Sequence, residues 1–350
     1  MRRGKTNIPV AVAVGIVASA IGIAAGLLID WFPTAASKQA GPIDTLWDVL
    51  LIVSIPIFVI VACVVVFSVR WFGAEPGDTE DGPPIHGNTK LEVLWTAIPA
   101  MLIAGLVIYS YVVLTDIEKA PAAEAKERHV HVTAQQFAWT FAYDNPKPGG
   151  PPLKSHFLYL PEGESVKFDI NALDVLHDFW VPAFRMKIDA VPGITTHYRV
   201  TPNRTGVYPV VCAELCGLGH AFMRSAVHVL PPRQFDAWLA KLAAPPKAPA
   251  PSGGQAVDAK NLFANGNGTS IACGQCHTLA DAGTNGQVGP DLDKALSGKD
   301  AAFIKQSIVT PQAEVAKGFP AGVMPQDYSK TLSPQELDAL VNYLVKVTSK

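Results

Sequence analysis

Charge is scarce in this sequence. Of its 350 residues only 17% are Asp, Glu, Lys or Arg, the net charge is −2, and no run of Lys or Arg forms a basic stripe. Such a surface cannot neutralise a phosphate backbone, so nucleic acid is excluded as a partner. Cysteine is scarce too, with five in the chain. That is too few, and too unevenly placed, for the disulfide framework of a small secreted fold. Methionine is equally sparse, and Met324 is the only one after Met223. No repeat of fixed period runs through the chain, which removes solenoids and propellers.

Apolar residues are plentiful, at 49%, and concentrate in the first third. Three uncharged stretches, residues 8–29, 49–69 and 93–113, are each long enough to cross the roughly 30 Å hydrocarbon layer as a helix. The first follows Arg2, Arg3 and Lys5. Residues 1–30 therefore read as a signal peptide or an additional transmembrane helix, and the length of the apolar run favours a retained span. Residues 44–117 read as a transmembrane hairpin. With the basic end inside, the remainder lies on the outer face, and cleavage of the first segment would not change that.

Over residues 128–240 the pattern changes to short alternating runs between Pro- and Gly-containing turns, as in Ser165-Val-Lys-Phe-Asp-Ile170. This predicts a small all-β sandwich or barrel. Residues 243–254 are a Pro-rich linker. Residues 255–350 predict a small, mainly α domain, with helical text over 256–263 and 333–347. The second helix opens on Ser333-Pro-Gln-Glu336, a capping-box pattern with proline at the first helical position.

Two motifs carry chemistry. Cys212-Ala-Glu-Leu-Cys216-Gly-Leu-Gly-His220-Ala-Phe-Met223 puts two thiols, a carboxylate, an imidazole and a thioether on one loop. Thiolates and a thioether are soft donors that favour copper, whereas calcium or magnesium would want oxygen throughout. A Cys2His2 zinc site tolerates the same spacing; Met223 tips the choice to copper. Cys273-Gly-Gln-Cys276-His277 is the attachment signature of c-type haem. The cysteines would hold the macrocycle covalently and His277 would ligate its iron. A redox dithiol is the alternative for C-x-x-C, disfavoured by the adjacent histidine and the lack of a βαβ pattern. Met324 is the sixth-ligand candidate, and a His/Met pair suits electron transfer. The histidines at 129, 131, 156, 197 and 228 lie in strand-like or loop text without ligand spacing and read as structural.

The pattern Cys-x-Glu-x-Cys-x3-His-x2-Met, preceded by Asp174-Val-Leu-His177, resembles the CuA site of cytochrome c oxidase subunit II over residues 46–239, and residues 255–350 resemble a class I cytochrome c. The fold implied is a multi-domain membrane protein with N-terminal transmembrane α-helices, an all-β cupredoxin-like sandwich and a C-terminal all-α cytochrome c domain. By that likeness Cys212 and Cys216 bridge a dinuclear copper centre, His177 and His220 ligate it terminally, Met223 is a weak ligand and Glu214 ligates through its carbonyl. The Glu214 carboxylate would face a magnesium shared with the catalytic subunit. Glu92, in Asn88-Thr-Lys-Leu-Glu92, either marks the membrane edge or matches the family's glutamate that admits protons to the catalytic subunit. Phe137 stands where many members carry the tryptophan that receives electrons from soluble cytochrome c.

The resemblance implies the subunit at which electrons enter a terminal respiratory oxidase. Electrons would pass from an external donor, a cytochrome c or a cytochrome bc complex, through covalent haem c and dinuclear copper to catalytic subunit I, which reduces oxygen to water and pumps protons. Its partners would be that subunit, other oxidase subunits and membrane lipid, and its place a bacterial cell membrane with copper and haem domains outside. The competing reading is a membrane-anchored copper-delivery or assembly protein, opposed by the haem motif. A nitrous-oxide reductase is opposed by the lack of room for its propeller.

Overall fold

A computed structural model describes residues 8–71, 77, 84, 86–122, 127–244, 257–267, 270–319, 321–326 and 328–349. The basic N-terminal residues and the Pro-rich stretch from 245 to 254 lie outside the described residues. The chain divides into two compact units, Met1–Pro33 with Ala40–Lys119, and Thr34–Gln39 with Ala120–Lys350.

The first unit contains α1 (Ile8–Leu28), α2 (Ala40–Trp71) and α3 (Thr89–Ile117), each long and apolar enough to cross a membrane. All three overlap the expected stretches; α2 begins earlier than its apolar core, and α3 extends beyond its stretch at both ends. Small residues set the contact between α1 and α2. A Cβ on Gly22 would fall 2.8 Å from Ile55 Cγ2, and one on Gly26 would fall 2.4 Å from Leu51 Cδ2. Close backbone approach of this kind is how helices associate where no hydrophobic force separates protein from lipid. The Trp31 indole donates to the Gly26 carbonyl at 2.9 Å and satisfies an end of α1 that would otherwise lack a partner.

In the second unit ten strands form two five-stranded sheets. They are β1 (Glu127–Gln135), β2 (Ala138–Tyr143), β3 (Leu153–Ser155), β4 (Leu158–Pro161), β5 (Ser165–Ala172), β6 (His177–Trp180), β7 (Lys187–Ala190), β8 (Thr196–Val200), β9 (Gly206–Cys212) and β10 (Arg224–Leu230). One sheet runs β3-β2-β1-β5-β8 and the other β4-β10-β9-β6-β7. Alternation decides what each face meets: in β5 Val166, Phe168, Ile170 and Ala172 are buried while the residues between them are not. Phe179 sits at the centre of the core, its ring 5.4 Å from Trp139 and 5.5 Å from Phe168. Helix α4 (Pro232–Leu242) follows β10 and buries Phe235 and Leu239. The segment Thr34–Gln39 belongs to this unit: the Ala36 amide donates to the Ala183 carbonyl, and Ser37 bridges to Pro202.

The C-terminal lobe is mainly helical: α5 (Ala259–Asn265), a hairpin of β11 (Thr278–Leu279) and β12 (Thr284–Asn285), α6 (Leu292–Ala295), α7 (Ala301–Val309), α8 (Tyr328–Thr331) and α9 (Pro334–Thr348). Helix α9 starts as expected, with the Ser333 and Glu336 side chains each satisfying the other's backbone N–H. Its buried face, Leu337, Leu340, Val341 and Leu344, packs with Phe263, Leu279 and Ile304. Helix α5 is shifted from its expected text: Asp258 accepts from the Asn261 amide, caps the helix and fixes its start at Ala259.

Candidate metal centres

The copper-loop residues are held by the ends of three neighbouring strands. His177 opens β6, Cys212 closes β9 and Met223 immediately precedes β10, while β9 pairs with both of the others. The Cys212 amide donates to the Met223 carbonyl at 3.2 Å and the Ala213 amide to the Asp178 carbonyl at 3.0 Å, so the loop is closed across its base. Most of its donors are shielded from solvent: His177 and Met223 are fully buried, Cys212 and Cys216 nearly so, and His220 partly.

The donors converge. The sulfurs of Cys212 and Cys216 are 3.8 Å apart. His177 Nδ1 lies 3.9 Å from Cys212 Sγ, His220 Nδ1 lies 3.6 Å from Cys216 Sγ, and Met223 Sδ lies 3.9 Å from Cys216 Sγ. The Glu214 carbonyl turns inward and accepts from Cys212 Sγ at 3.2 Å. The donor atoms of His177, Cys212 and Cys216 lie within 4.8 Å of one another. Two sulfurs side by side, each flanked by an imidazole nitrogen, fit a soft metal pair, and no hard oxygen cage is present among the described residues of this loop.

Residues outside the motif hold this arrangement. His177 Nε2 meets Asp174 Oδ1 at 2.9 Å, which places the ring proton there and leaves Nδ1 facing the sulfur. Asp174 Oδ2 in turn accepts from the Gln136 amide at 2.6 Å, and Gln136 Nε2 donates to the Cys216 carbonyl at 2.6 Å. Gln136 arrives from the turn between β1 and β2, so no local spacing announces it; Asp174, three positions before His177, is the signal that was available. Phe137 lies against the loop's glycines, and a Cβ on Gly219 would fall 2.4 Å from its ring.

Electrostatics divide the two thiols. Burial opposes ionisation of Cys212, but its hydrogen bond with His177 and backbone hydrogen bonds bring it down to about 7. Burial and the neighbouring Cys212 push Cys216 up to about 12. Burial lowers the His177 pKa, and hydrogen bonds to Cys212 and Asp174 outweigh it, leaving the pKa raised. The Asp174 carboxyl is held below the usual carboxylate range because the bonds from His177, Gln136 and Val175 outweigh its burial.

The haem motif lines a cavity of about 600 Å³ in the helical lobe, with Cys273, Cys276, His277 and Met324 on its wall beside Phe263, Phe303 and Leu344. That volume is in the range of pre-formed cofactor sites. His277 Nδ1 donates to the Pro290 carbonyl at 2.9 Å, which orients the ring and frees Nε2. Gly289 has no side chain because a Cβ there would fall 2.4 Å from the imidazole, and Gly286 for the same reason against the Cys276 backbone. Burial lowers the His277 pKa, with the Pro290 bond working against it, which favours the neutral ring that a haem iron would need. Burial also pushes Cys273 up to about 12 and Cys276 up to about 11. Protonated thiols with no activating partner do not suit a reactive dithiol, and the cradle fits a haem.

Glu92 is in neither centre. It lies in the first turn of α3 and accepts from the Asn88 amide at 3.1 Å, while the Asn88 side chain accepts from the Leu91 amide.

Three apolar helices, a β-sandwich carrying a soft-donor loop and a helical lobe with a haem cradle define a membrane-anchored electron-transfer protein. Residues 24–113 match the family model for the transmembrane domain of cytochrome c oxidase subunit II, residues 154–230 that for its periplasmic domain, and residues 256–348 that for cytochrome c. The chain is 34% identical to cytochrome c oxidase subunit 2 of Alkalihalophilus pseudofirmus over 84% of this chain and 85% of the relative. It is 32% identical to that of Thermostichus vulcanus over 64% of this chain and 82% of the relative. Among solved structures it resembles the periplasmic domain of the Bradyrhizobium japonicum oxidase subunit II, at 28% identity over 35% of this chain and 96% of that one, with a TM-score of 0.32. The chain belongs to the cytochrome c oxidase subunit II family, with a cytochrome c domain at its C-terminal end. It is a component of a haem–copper oxidase, an oxidoreductase, in complex with a catalytic subunit; membership implies CuA copper, and the cytochrome domain implies haem.

Proposed function

We propose that this chain takes electrons from an external donor at a covalently held haem c and hands them, by way of a dinuclear copper centre, to the oxygen-reducing, proton-pumping catalytic subunit. The observation that carries this reading is the pair of buried sulfurs 3.8 Å apart in a loop closed between strand ends. When bound, the haem and the copper pair supply the redox centres. The chain's residues supply the rest. Cys212 and Cys216 would bridge the coppers, His177 and His220 would ligate through Nδ1, and the Glu214 carbonyl and Met223 would complete the shell. Asp174 and Gln136 fix the loop so that it has little room to rearrange, and burial excludes water. In the lobe, Cys273 and Cys276 would attach the haem, with His277 and Met324 as axial ligands.

The division into a segment of residues 1–30, a hairpin over 44–117, a copper domain over 128–240, a linker over 243–254 and a haem domain over 255–350 is part of the same proposal. So is placement in a bacterial membrane with the last two domains outside. The Glu214 carboxylate is assigned to a magnesium shared with the catalytic subunit, and Glu92 to proton uptake. The capping bond from Asn88 gives Glu92 a structural role as well, which a Glu92→Gln exchange separates by preserving the cap and removing the proton.

Metal analysis with optical and paramagnetic spectra of the purified chain tests the main reading. The result expected is a mixed-valence copper pair together with covalent haem. A single labile copper without haem would make the chain a copper-delivery protein.

A further inference from the structure

Away from both centres, the outer face of the sheet β3-β2-β1-β5-β8 gathers histidines that sequence spacing keeps apart. Strand β5 lies between β1 and β8, and its register puts Asp169 opposite His131 on one side and His197 on the other. All three side chains leave the face that Val132, Phe168 and Tyr198 do not use. His197 Nδ1 lies 2.9 Å from Asp169 Oδ1 and His131 Nδ1 lies 3.8 Å from Asp169 Oδ2. Both imidazoles are about half exposed, at 52% and 53%, whereas the carboxylate between them is 17% exposed.

We propose that His131, Asp169 and His197 form a surface binding site for a divalent transition ion, with zinc(II) as the best-matched occupant. Imidazole with carboxylate is a donor set that zinc accepts, in a shell of three protein ligands and an open position. Bonds of about 2.0–2.2 Å in tetrahedral geometry place neighbouring donors about 3.4 Å apart. The two imidazole–carboxylate separations, 2.9 and 3.8 Å, straddle that value, and because β5 stands between β1 and β8 an ion must draw both rings in over Asp169 to be held by all three. Burial opposes ionisation of the carboxylate, but its hydrogen bond with His197 and the nearby charges of Lys167 and His131 outweigh it and hold the pKa below the usual range. Lys167 Nζ, 3.6 Å from Asp169 Oδ1, is the cation that a metal ion would displace. His129 is on the same face but its register partner is Lys167, so it is not assigned as a ligand. Arg199 is paired with Glu127 at 2.9 Å and does not oppose an ion at Asp169. The site shares no residue with the copper loop or with Asp174 and Gln136, which position it.

The test is zinc titration of the full chain carrying its copper and haem, read by calorimetry and by metal analysis after buffer exchange, with the copper spectrum recorded throughout. The result expected is saturable uptake of a single additional zinc ion at unchanged copper spectrum, with saturable binding lost in His131→Ala and in His197→Ala and weakened in Asp169→Asn. A measurement on the unaltered chain guards against variants that fail to fold: zinc should slow carbethoxylation of His131 and His197, read by peptide mass spectrometry, and leave His129 reactive. Absence of saturable uptake, uptake unchanged in His197→Ala, or equal protection of all three histidines would overturn the assignment.

Discussion

The copper loop and the haem cradle hold similar donor types in opposite ways. In the loop, sulfur and nitrogen atoms already stand within 4 Å of their neighbours, tied to sheet ends and to Asp174 and Gln136. In the helical lobe, the donors line a cavity of about 600 Å³ walled by short helices and loops. The sandwich has a core of its own in Phe141, Phe168 and Phe179, so its metal completes an existing fold. The lobe has a packed face on α9 as well, but it also surrounds a cavity whose size and largely apolar wall suit a large group. A rigid loop suits a centre whose bond lengths must stay constant on reduction, whereas a cavity suits a group that becomes part of the core.

The sharpest break between the two is loss of each bound group. Cys276→Ala should lose one thioether link, leave little holo-protein and unfold the helical lobe, since a cavity of this size left empty costs several kcal/mol. Cys216→Ser should abolish the copper pair and its spectrum but leave the sandwich's thermal transition nearly in place. Calorimetry of both variants beside their spectra checks this, and equal destabilisation of the two regions would erase the distinction. Met324→Leu should keep covalent haem and alter only its absorption and potential; unaltered values would remove Met324 from the site.

Acidity should also act on one region more than on the other. Copper displaces the proton that Cys216 holds up to about 12, so apparent copper affinity should rise about tenfold per pH unit near neutrality. Below about 7, where Cys212 also binds a proton, the dependence should steepen. Copper titrations across pH 6 to 9, roughly, measure the slope, and a flat profile would contradict the thiol assignments.

Smaller effects separate the residues that position ligands from the ligands. Gly289→Ala drives a methyl group into the His277 ring and should cost about 1–3 kcal/mol of holo-lobe stability, measured by denaturant unfolding. Asp174→Asn should retain the copper pair but weaken its affinity about 10–100-fold. In the copper-free protein, the depressed Asp174 pKa makes its contribution full above about pH 4 and lost as pH falls further. Asp174→Asn should therefore flatten the acid limb of the stability profile.

What was legible in the sequence is what is local. Cys212 to Met223 lie on one loop and Cys273 to His277 on one turn, so their donor sets could be read locally, with Met223 rather than spacing favouring copper over zinc, and the three apolar helices and the cap at Ser333 were local as well. What was hidden depends on strand register. Gln136 reaches Cys216 across the sandwich, Thr34–Gln39 joins a unit built mostly from residues beyond 120, and His131 and His197 share Asp169 only because β5 lies between their strands. A side-chain period of two shows which residues share a face, but not which strands are neighbours. The start of α5 at Ala259 was missed because capping by Asp258 outranked the apolar pattern just before it.

The most direct measurement concerns the fused haem as the place where electrons enter. On the proposed reading, Phe137 stands where many members of the resembled family carry a tryptophan, and a linker over residues 243–254 would hold the haem at an effective concentration of the order of millimolar, above that of a dilute soluble donor. Truncation after Leu242, at the end of α4, removes the haem lobe and keeps the sandwich. Steady-state oxygen consumption by the truncated and intact oxidase complexes is then compared at equal copper content on the native donor. Loss of most turnover with copper loading unchanged is the result expected. Equal rates would show that electrons reach the copper loop directly, and the role assigned to the haem lobe would have to be abandoned.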